Sequence, residues 1–94
     1  MVTSNRKQLS RQSLAANLRA ARSLFGWSQE ELGFECGLKR TYIGALERNE
    51  VNLGVDNLDK LAGGLGVHPC VLLLSPAEAY GKIYEAATET QRQK

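Results

Sequence analysis

Apolar side chains recur at helical spacing along the first third of the chain. They are Leu14, Leu18, Ala21, Leu24 and Phe25. This stripe predicts a helix over 11–25, which Gly26 ends. Ser28 and Glu31 then have the spacing of a capping box, in which each side chain binds the backbone N–H of the other residue. The capping box predicts a second helix that ends at Gly37.

Four further helices are predicted downstream. A third covers 39–48, and a fourth is capped by Asp56 and ends at Gly66. Pro69 opens a short fifth helix that carries a run of apolar residues, and a sixth covers 76–89. Because no segment shows the alternation typical of a β-strand, the sequence predicts an all-α protein.

Basic residues are concentrated at the beginning of the chain, although the net charge is only +2. No acidic residue precedes Glu30, whereas the basic residues in that stretch are Arg6, Lys7, Arg11, Arg19 and Arg22. One-sided positive charge is typical of proteins that bind a polyanion. A solvated basic segment that only keeps the protein soluble fits the same pattern.

The length and composition describe one ordinary globular domain. The chain has 94 residues, of which 43% are hydrophobic. No apolar run is long enough to cross a bilayer, and the start lacks the hydrophobic centre of a secretory signal. Cys36 and Cys70 are too few for a disulfide framework. We therefore expect a protein of the reducing cytoplasm.

The joint between the second and third helices is very short. Gly37 offers the positive φ that a sharp turn between helices needs, and only Leu38 separates it from the next polar start. Gly33 in the middle of helix two costs about 1 kcal/mol relative to Ala, which predicts that another backbone passes close by. A DNA-binding helix-turn-helix and a purely structural helical hairpin both fit this geometry.

A longer pattern begins at Asn17 and runs without a gap to Leu74. It consists of Asn17-Leu18-Arg19, Arg22, Gly26-Trp27-Ser28-Gln29-Glu30-Glu31-Leu32, Gly37-Leu38, Arg40-Thr41-Tyr42-Ile43, Leu46-Glu47-Arg48, Asn52, Leu58, Leu61-Ala62 and Leu65-Gly66-Val67. This pattern resembles the Cro and phage-repressor type of helix-turn-helix domain. The chain departs from it at Gly33, where the family usually has Ala, and at Asn49, where it usually has Gly.

Within that family, Arg40-Thr41-Tyr42-Ile43 followed by Glu47-Arg48 is most similar to the controller proteins of restriction-modification systems. Those are small dimeric regulators of their own operon. The resemblance implies a five-helix lambda-repressor-like DNA-binding domain over 11–75. Outside the motif we predict a flexible basic arm over 1–10 and a sixth helix and tail over 76–94, whose roles the pattern leaves open. The implied function is sequence-specific regulation of bacterial transcription, as a homodimer on a palindromic operator in double-stranded DNA.

The third helix is the expected recognition helix, which lies in the major groove with its N-terminal end toward the bases. Its candidate base-reading residues are Lys39, Arg40, Thr41, Gly44 and Ala45. Arg40 can bind guanine through two hydrogen bonds, and Thr41 can contact thymine through its methyl group. Gly44 and Ala45 would leave the groove-facing surface shallow. A merely solvated Arg40 is the alternative, which the positive end of the helix dipole slightly disfavours.

Candidate phosphate-binding residues lie at the start of helix two and on or after helix three. They are Ser28, Gln29, Tyr42, Arg48, Asn49, Asn52 and Asn57. The resemblance places Gln29 on the DNA backbone, at a helix end where the dipole also favours an anion. Asn49 and Asn52 fit turn positions equally well. The resemblance further implies a structural salt bridge between Arg22 and Glu47, which would orient the recognition helix.

An apolar surplus on the C-terminal side predicts a dimer interface. Its candidate residues are Pro69, Cys70, Leu74, Ile83 and Tyr84. In a second interpretation, helix six folds back and covers its own domain. In a third, the chain is an antitoxin-like regulator whose helix six, which also carries Tyr80, docks another protein. RNA polymerase is a further candidate partner.

Neither catalysis nor a metal or cofactor site is expected. Catalysis requires a positioned acid, base or nucleophile, and the single histidine, His68, precedes Pro69 as a residue at a helix start does. His68, Cys70 and the distant Cys36 do not match the spacing of a closed zinc site. We also expect no small-molecule ligand and no membrane partner.

Overall fold

The computed structural model describes the backbone of residues 3–92 and the side chains of residues 9–90. Its helices are α1 (Thr3–Phe25), α2 (Gln29–Cys36), α3 (Arg40–Glu47), α4 (Val55–Leu65), a 3-10 helix (Pro69–Leu73) and α5 (Pro76–Arg92). The described residues contain no β-strand, which confirms the predicted all-α class. None of the described helices combines the length and the apolar character needed to span a membrane.

Two helices begin earlier than predicted. α1 already includes residues 3–10, so this part of the flexible arm predicted over 1–10 is helical instead, and residues 1 and 2 of that prediction lie outside the described residues. The reason is that neither Gly nor Pro precedes Gly26, and that Lys, Arg, Gln and Leu in this stretch favour a helix. α4 starts at Val55 with Gly54 as its N-cap. Asp56 is therefore not the cap, and it lies in the first turn, near the positive end of the helix dipole.

The predicted fifth helix is a 3-10 helix whose two ends are held by side chains. At its start, Nδ1 of His68 accepts a hydrogen bond from the backbone N–H of Cys70 at 3.1 Å. At its end, Nδ2 of the buried Asn17 donates to the carbonyls of Leu72 and Leu74, both at 2.9 Å. Because a side-chain amide has two donor hydrogens, both bonds form at once. Asn17 therefore fixes this segment against α1.

The joint between α2 and α3 has the predicted geometry. Ser28 Oγ accepts from the N–H of Glu31 at 3.0 Å, and Glu31 Oε1 accepts from the N–H of Ser28 at 2.8 Å. Gly37 ends α2 with φ 72°. A Cβ added at Gly33 would lie 2.5 Å from the carbonyl oxygen of Leu38. The predicted close passage of a second backbone is confirmed, and it brings the start of α3 directly against α2.

The core lies between α1 and the helices packed around it. Its largest fully buried apolar side chains are Leu18, Leu32, Ile43, Leu46, Leu61, Leu65, Leu72 and Ile83. α5 packs against α1 and buries Ala79, Ile83 and Ala87. The assignment of Ile83 to a dimer interface is therefore wrong, because its own domain already covers the side chain. This stripe of α5 folds back, as the second interpretation expects.

The two cysteines lie in different environments. Cys36 is buried, and its Sγ is 3.7 Å from the carbonyl oxygen of Leu61. Burial raises the pKa of the Cys36 thiol to about 11, and the negative charge of Glu35 adds to the rise. Cys36 is therefore a neutral core residue at physiological pH. Cys70 is exposed, and both cysteines are free.

The tightness of the crossing of α4 over α2 can be tested with a matched pair of variants. At Gly64 an added Cβ would overlap Sγ of Cys36 and lie 3.1 Å from its Cα, whereas at Gly63 it would meet nothing within 4 Å. We expect Gly64→Ala to lower the free energy of unfolding by about 1–3 kcal/mol through overpacking. Gly63→Ala should raise it by up to about 1 kcal/mol through helix propensity. Urea denaturation measures both, and equal effects would contradict the tight crossing.

Candidate nucleic-acid interface

The N-terminal end of α3 carries exposed polar side chains. Lys39 is the N-cap residue and makes no side-chain capping bond, and the first turn contains no acidic residue. Lys39, Arg40 and Thr41 are all exposed. The positive end of a helix dipole disfavours cations. Because no acidic residue lies in this turn, Lys39 and Arg40 also have no favourable charge partner in their own helix. This end of α3 is suited to contact a negatively charged or electronegative surface.

The second turn of α3 is more enclosed than predicted. Gly44 is buried, and a Cβ added there would lie 3.1 Å from Nη1 of Arg48 and 3.4 Å from Oε1 of Gln29. Ala45 is half-buried. The prediction that Gly44 belongs to a shallow base-reading surface is therefore wrong, because the side chains of Arg48 and Gln29 cover this position. The missing side chain at Gly44 is what lets Gln29 and Arg48 converge over α3.

A buried carboxylate holds the opposite end of α3. Arg22 Nε donates to Glu47 Oε2 at 2.6 Å, and Arg22 Nη2 donates to Oε1 at 3.0 Å. Gln29 Nε2 donates to the same Oε1 at 3.1 Å. Glu47 is only 5% exposed, so one carboxylate connects α1, α2 and α3 in the interior. The structure contains the ion pair that the resemblance implies between Arg22 and Glu47.

Arg22 also fixes the turn between α1 and α2. Its Nη1 donates to the carbonyl of Trp27 at 3.1 Å. The hydrogen bonds to Glu47 raise the pKa of Arg22 above its ordinary value, and burial opposes this rise. Trp27 packs on Phe25, with ring centroids 4.6 Å apart. The guanidinium of Arg22 therefore sets both the start of α2 and the end of α3.

The phosphate-binding candidates form two groups in the structure. In the first, Gln29 and Arg48 converge over Gly44. Arg48 also pairs with Glu50, with Nε 3.1 Å from Oε2, and both side chains are more than half exposed. Ser28 belongs to the start of the same α2, and its Oγ is engaged in the capping box. In this group, Arg48 and Gln29 each already have a carboxylate partner inside the chain.

The second group joins α3 to the region before and within α4. The hydroxyl of Tyr42 donates to the carbonyl of Asn52 at 3.3 Å and accepts from Nδ2 of Asn57 at 3.2 Å. Asn49 has φ 60°, so it occupies the left-handed turn conformation, and its carbonyl accepts from Nη2 of Arg11 at 3.3 Å. These contacts determine the position of the segment that follows α3.

Three residues that contribute to this surface were not predicted from the sequence as site residues. Arg11 and Arg19 donate to backbone carbonyls at the end of α3, and Glu50 pairs with Arg48. The contacts of the two α1 arginines join segments far apart in sequence, so no local pattern marks them. The one available signal is that the last turn of α3 contains no basic residue of its own.

Comparisons with known proteins identify the pattern. A family model described as helix-turn-helix matches residues 18–72. A hypothetical transcription factor of Neisseria meningitidis serogroup B is 51% identical over 65 residues, which are 69% of this chain and 61% of that protein. The control protein C.BamHI of Bacillus amyloliquefaciens is 52% identical over 46 residues, which are 49% of this chain and 57% of that protein.

A solved structure shares the fold. The crystal structure of the hypothetical transcription factor NHTF from Neisseria matches with a TM-score of 0.70 and 46% sequence identity. The match covers 78% of this chain and 84% of that one. Against the two curated relatives, the chain spans about three fifths of their length.

The buried carboxylate leads to a stability prediction. We expect Glu47→Ala to lower the free energy of unfolding by about 3 kcal/mol, because the partly buried guanidinium of Arg22 loses its partner. Glu50→Ala breaks an exposed pair with Arg48 and should leave the free energy of unfolding nearly unchanged. Urea denaturation of the two variants provides the comparison. Similar costs for both would contradict a structural role of the buried pair.

Proposed function

The chain belongs to the helix-turn-helix family, and on that basis we propose that it is a regulator of transcription that binds a specific sequence in double-stranded DNA. The observation that carries this proposal is the first turn of α3, where Lys39, Arg40 and Thr41 are exposed at a helix end that no acidic side chain neutralises. A negatively charged duplex supplies the missing charge partner. The relatives that match are by their names a transcription factor and a control protein, so we propose a regulator and not an enzyme.

Base reading is assigned to the N-terminal end of α3 in the major groove. The guanidinium of Arg40 can donate two hydrogen bonds to O6 and N7 of guanine, and the methyl group of Thr41 can contact thymine. Lys39 lies next to them and can donate to a base edge or to a phosphate. Ala45, one turn further along, is half-buried and leaves room for a base at the rim of this surface.

Phosphate binding is assigned to the residues around this end of α3. The start of α2 presents backbone N–H groups, and Ser28 and Gln29 lie there. Arg48 would exchange its exposed partner Glu50 for a phosphate oxygen at small cost, because exposed ion pairs contribute little free energy. A second set of candidates, on the other side of α3, comprises Tyr42, Asn49, Asn52 and Asn57. Such contacts set the register of the protein on the duplex without reading sequence.

A symmetric dimer is the assembly we propose. α3 has only eight residues and can reach few base pairs, so two half-sites one helical turn apart are needed for a selective operator. Because Ile83 is buried in its own domain, the remaining candidates for the interface are Pro69, Cys70, Leu74 and Tyr84. Two exposed apolar side chains extend this surface, Leu73 at 44% and Tyr80 at 51% exposure. Tyr80 and Tyr84 form a stacked pair, with ring centroids 6.5 Å apart.

The narrower role we propose is that of a controller of a restriction-modification operon, on the strength of the similarity to C.BamHI. A palindromic operator upstream of such genes would suit a two-fold dimer. RNA polymerase is a partner of this role if the regulator activates its promoter. The exposed tyrosine pair on α5 also suits the docking of a different protein, which is the alternative use of this surface.

The assignment of base and phosphate contacts gives one prediction with an internal control. Duplexes enriched from a random-sequence library by the wild-type chain are compared with an unselected mixture. Arg40→Ala should weaken binding of the enriched duplex by about 1–3 kcal/mol while leaving the unselected mixture nearly unchanged. Arg48→Ala should weaken binding to the enriched duplex and to the unselected mixture equally. It should also lower the salt slope, the dependence of log affinity on log salt concentration, by about one unit, as loss of a charged phosphate contact requires.

Fluorescence anisotropy at several salt concentrations measures these quantities. Equal losses for Arg40→Ala on both DNA samples would remove its role in base reading. If the wild-type chain enriches no sequence at all, the proposed function itself is refuted.

The dimer is tested by sedimentation equilibrium at micromolar concentration. We expect the wild-type chain to sediment as a dimer, and Tyr84→Glu to weaken it at least about tenfold, because a charge would be desolvated in the interface. Phe34→Glu on α2 is the matched control, since Phe34 is 84% exposed and lies outside the proposed interface. A monomeric wild-type chain with and without DNA would exclude the dimer. A dimer that tolerates Tyr84→Glu but not Leu73→Glu would restrict the interface to the 3-10 helix.

A further inference from the structure

α3 is a weak helix on its own. It has eight residues, no side-chain cap at its N-terminus, no acidic residue in its first turn and no basic residue in its last turn. Isolated helices shorter than about 12 residues are marginal in water, and Gly44 and the β-branched Thr41 and Ile43 weaken this one further. Contacts from outside α3 must therefore hold it in a single position.

The C-terminal carbonyls of α3 show where part of that support comes from. The carbonyls of Gly44, Ala45 and Leu46 accept hydrogen bonds from the backbone N–H groups of Arg48, Glu50 and Asn49, at distances of 2.9 to 3.1 Å. The carbonyl of Glu47, the last residue of α3, accepts instead from Nη1 of Arg19. Just beyond α3, the carbonyl of Asn49 accepts from Nη2 of Arg11 at 3.3 Å.

These arginines come from one face of α1. Positions 11, 19 and 22 are eight and three residues apart, which places them within about 80° around a helix of 100° per residue. Arg22 binds the carboxylate of Glu47, and Arg19 binds the carbonyl of the same residue. Cations stabilise a helix C-terminus, where the dipole is negative. α1 thus supplies the positive charge that the last turn of α3 lacks.

We propose that Arg19, supported by Arg11, is a positioning residue for the base-reading end of α3. Its guanidinium fixes the C-terminus of a short helix, and a rigid short helix transmits that constraint to Arg40 and Thr41 at the other end. Arg11, Arg19 and Arg22 therefore act through α3 rather than as phosphate ligands. This inference rests on the proposed function for its effect on DNA binding, and its structural part is independent of DNA.

The structural part is tested by amide hydrogen exchange of the full chain without DNA. Arg19→Ala should accelerate exchange of the Arg48, Asn49 and Glu50 amides about tenfold, because the end of α3 opens more readily. Lys82→Ala on α5 removes the same charge from an exposed position and should leave these amides unchanged. Arg19→Lys retains a cationic donor and should recover part of the protection. Unchanged exchange in Arg19→Ala would overturn the proposal.

The functional part is tested with the enriched duplex and the unselected mixture, at a temperature where every variant is fully folded. Arg19→Ala should reduce the ratio of the two affinities about tenfold with an unchanged salt slope. A loss that is equal on both DNA samples, with a salt slope lower by about one unit, would identify Arg19 as a phosphate ligand and overturn the proposal. An unchanged ratio would do so as well. Failure of the wild-type chain to enrich any duplex refutes the proposed function, whereas hydrogen exchange still decides the role of Arg19 in α3.

Discussion

The carboxylate of Glu47 must find hydrogen-bond donors inside the protein, and the arrangement of the first three helices follows from that requirement. An unpaired buried charge is very unfavourable, so Arg22 and Gln29 have to reach Glu47 from α1 and α2. A buried ion pair is weak evidence for net stability, since desolvation opposes the attraction. What the pair does provide is geometry. A carboxylate with three directional donors fits only one placement of α3.

The close approach of backbones is the second constraint. At Gly33 the turn between α2 and α3 occupies the space of a side chain, and at Gly64 on α4 that space is occupied by Cys36 of α2. The first contact sets α3 against α2, and the second places α2 against α4. Asn17 serves the equivalent purpose for the 3-10 helix, because its buried amide donates to two carbonyls at the end of that segment. Polar contacts and small residues, as well as apolar burial, therefore determine how the helices meet.

Local sequence determined much of this fold in advance. The capping box at Ser28, the left-handed turn at Gly37, the helix end at Gly66 and the close passage at Gly33 were all predicted, because each depends on residues near one another in the chain. The start of α1 and the contact of Arg19 with α3 were not predicted, and the burial of Ile83 was expected only in the second interpretation, in which helix six covers its own domain. The last two depend on which distant segment covers a given face. Periodicity shows that a face is apolar or basic without showing what lies against it.

The division of α3 into two unlike halves has a consequence for how this fold diversifies. Gly44, Leu46 and Glu47 are buried against α1 and α2, so that substitutions at these three positions disturb a buried carboxylate, a core side chain or a covered glycine. Lys39, Arg40 and Thr41 lie exposed, and substitutions at exposed positions usually change stability by only about 0.5 kcal/mol. Under the proposed function, the target preference can therefore change at three adjacent codons with little penalty in folding. Related chains with the same architecture can diverge in what they recognise while their cores remain the same.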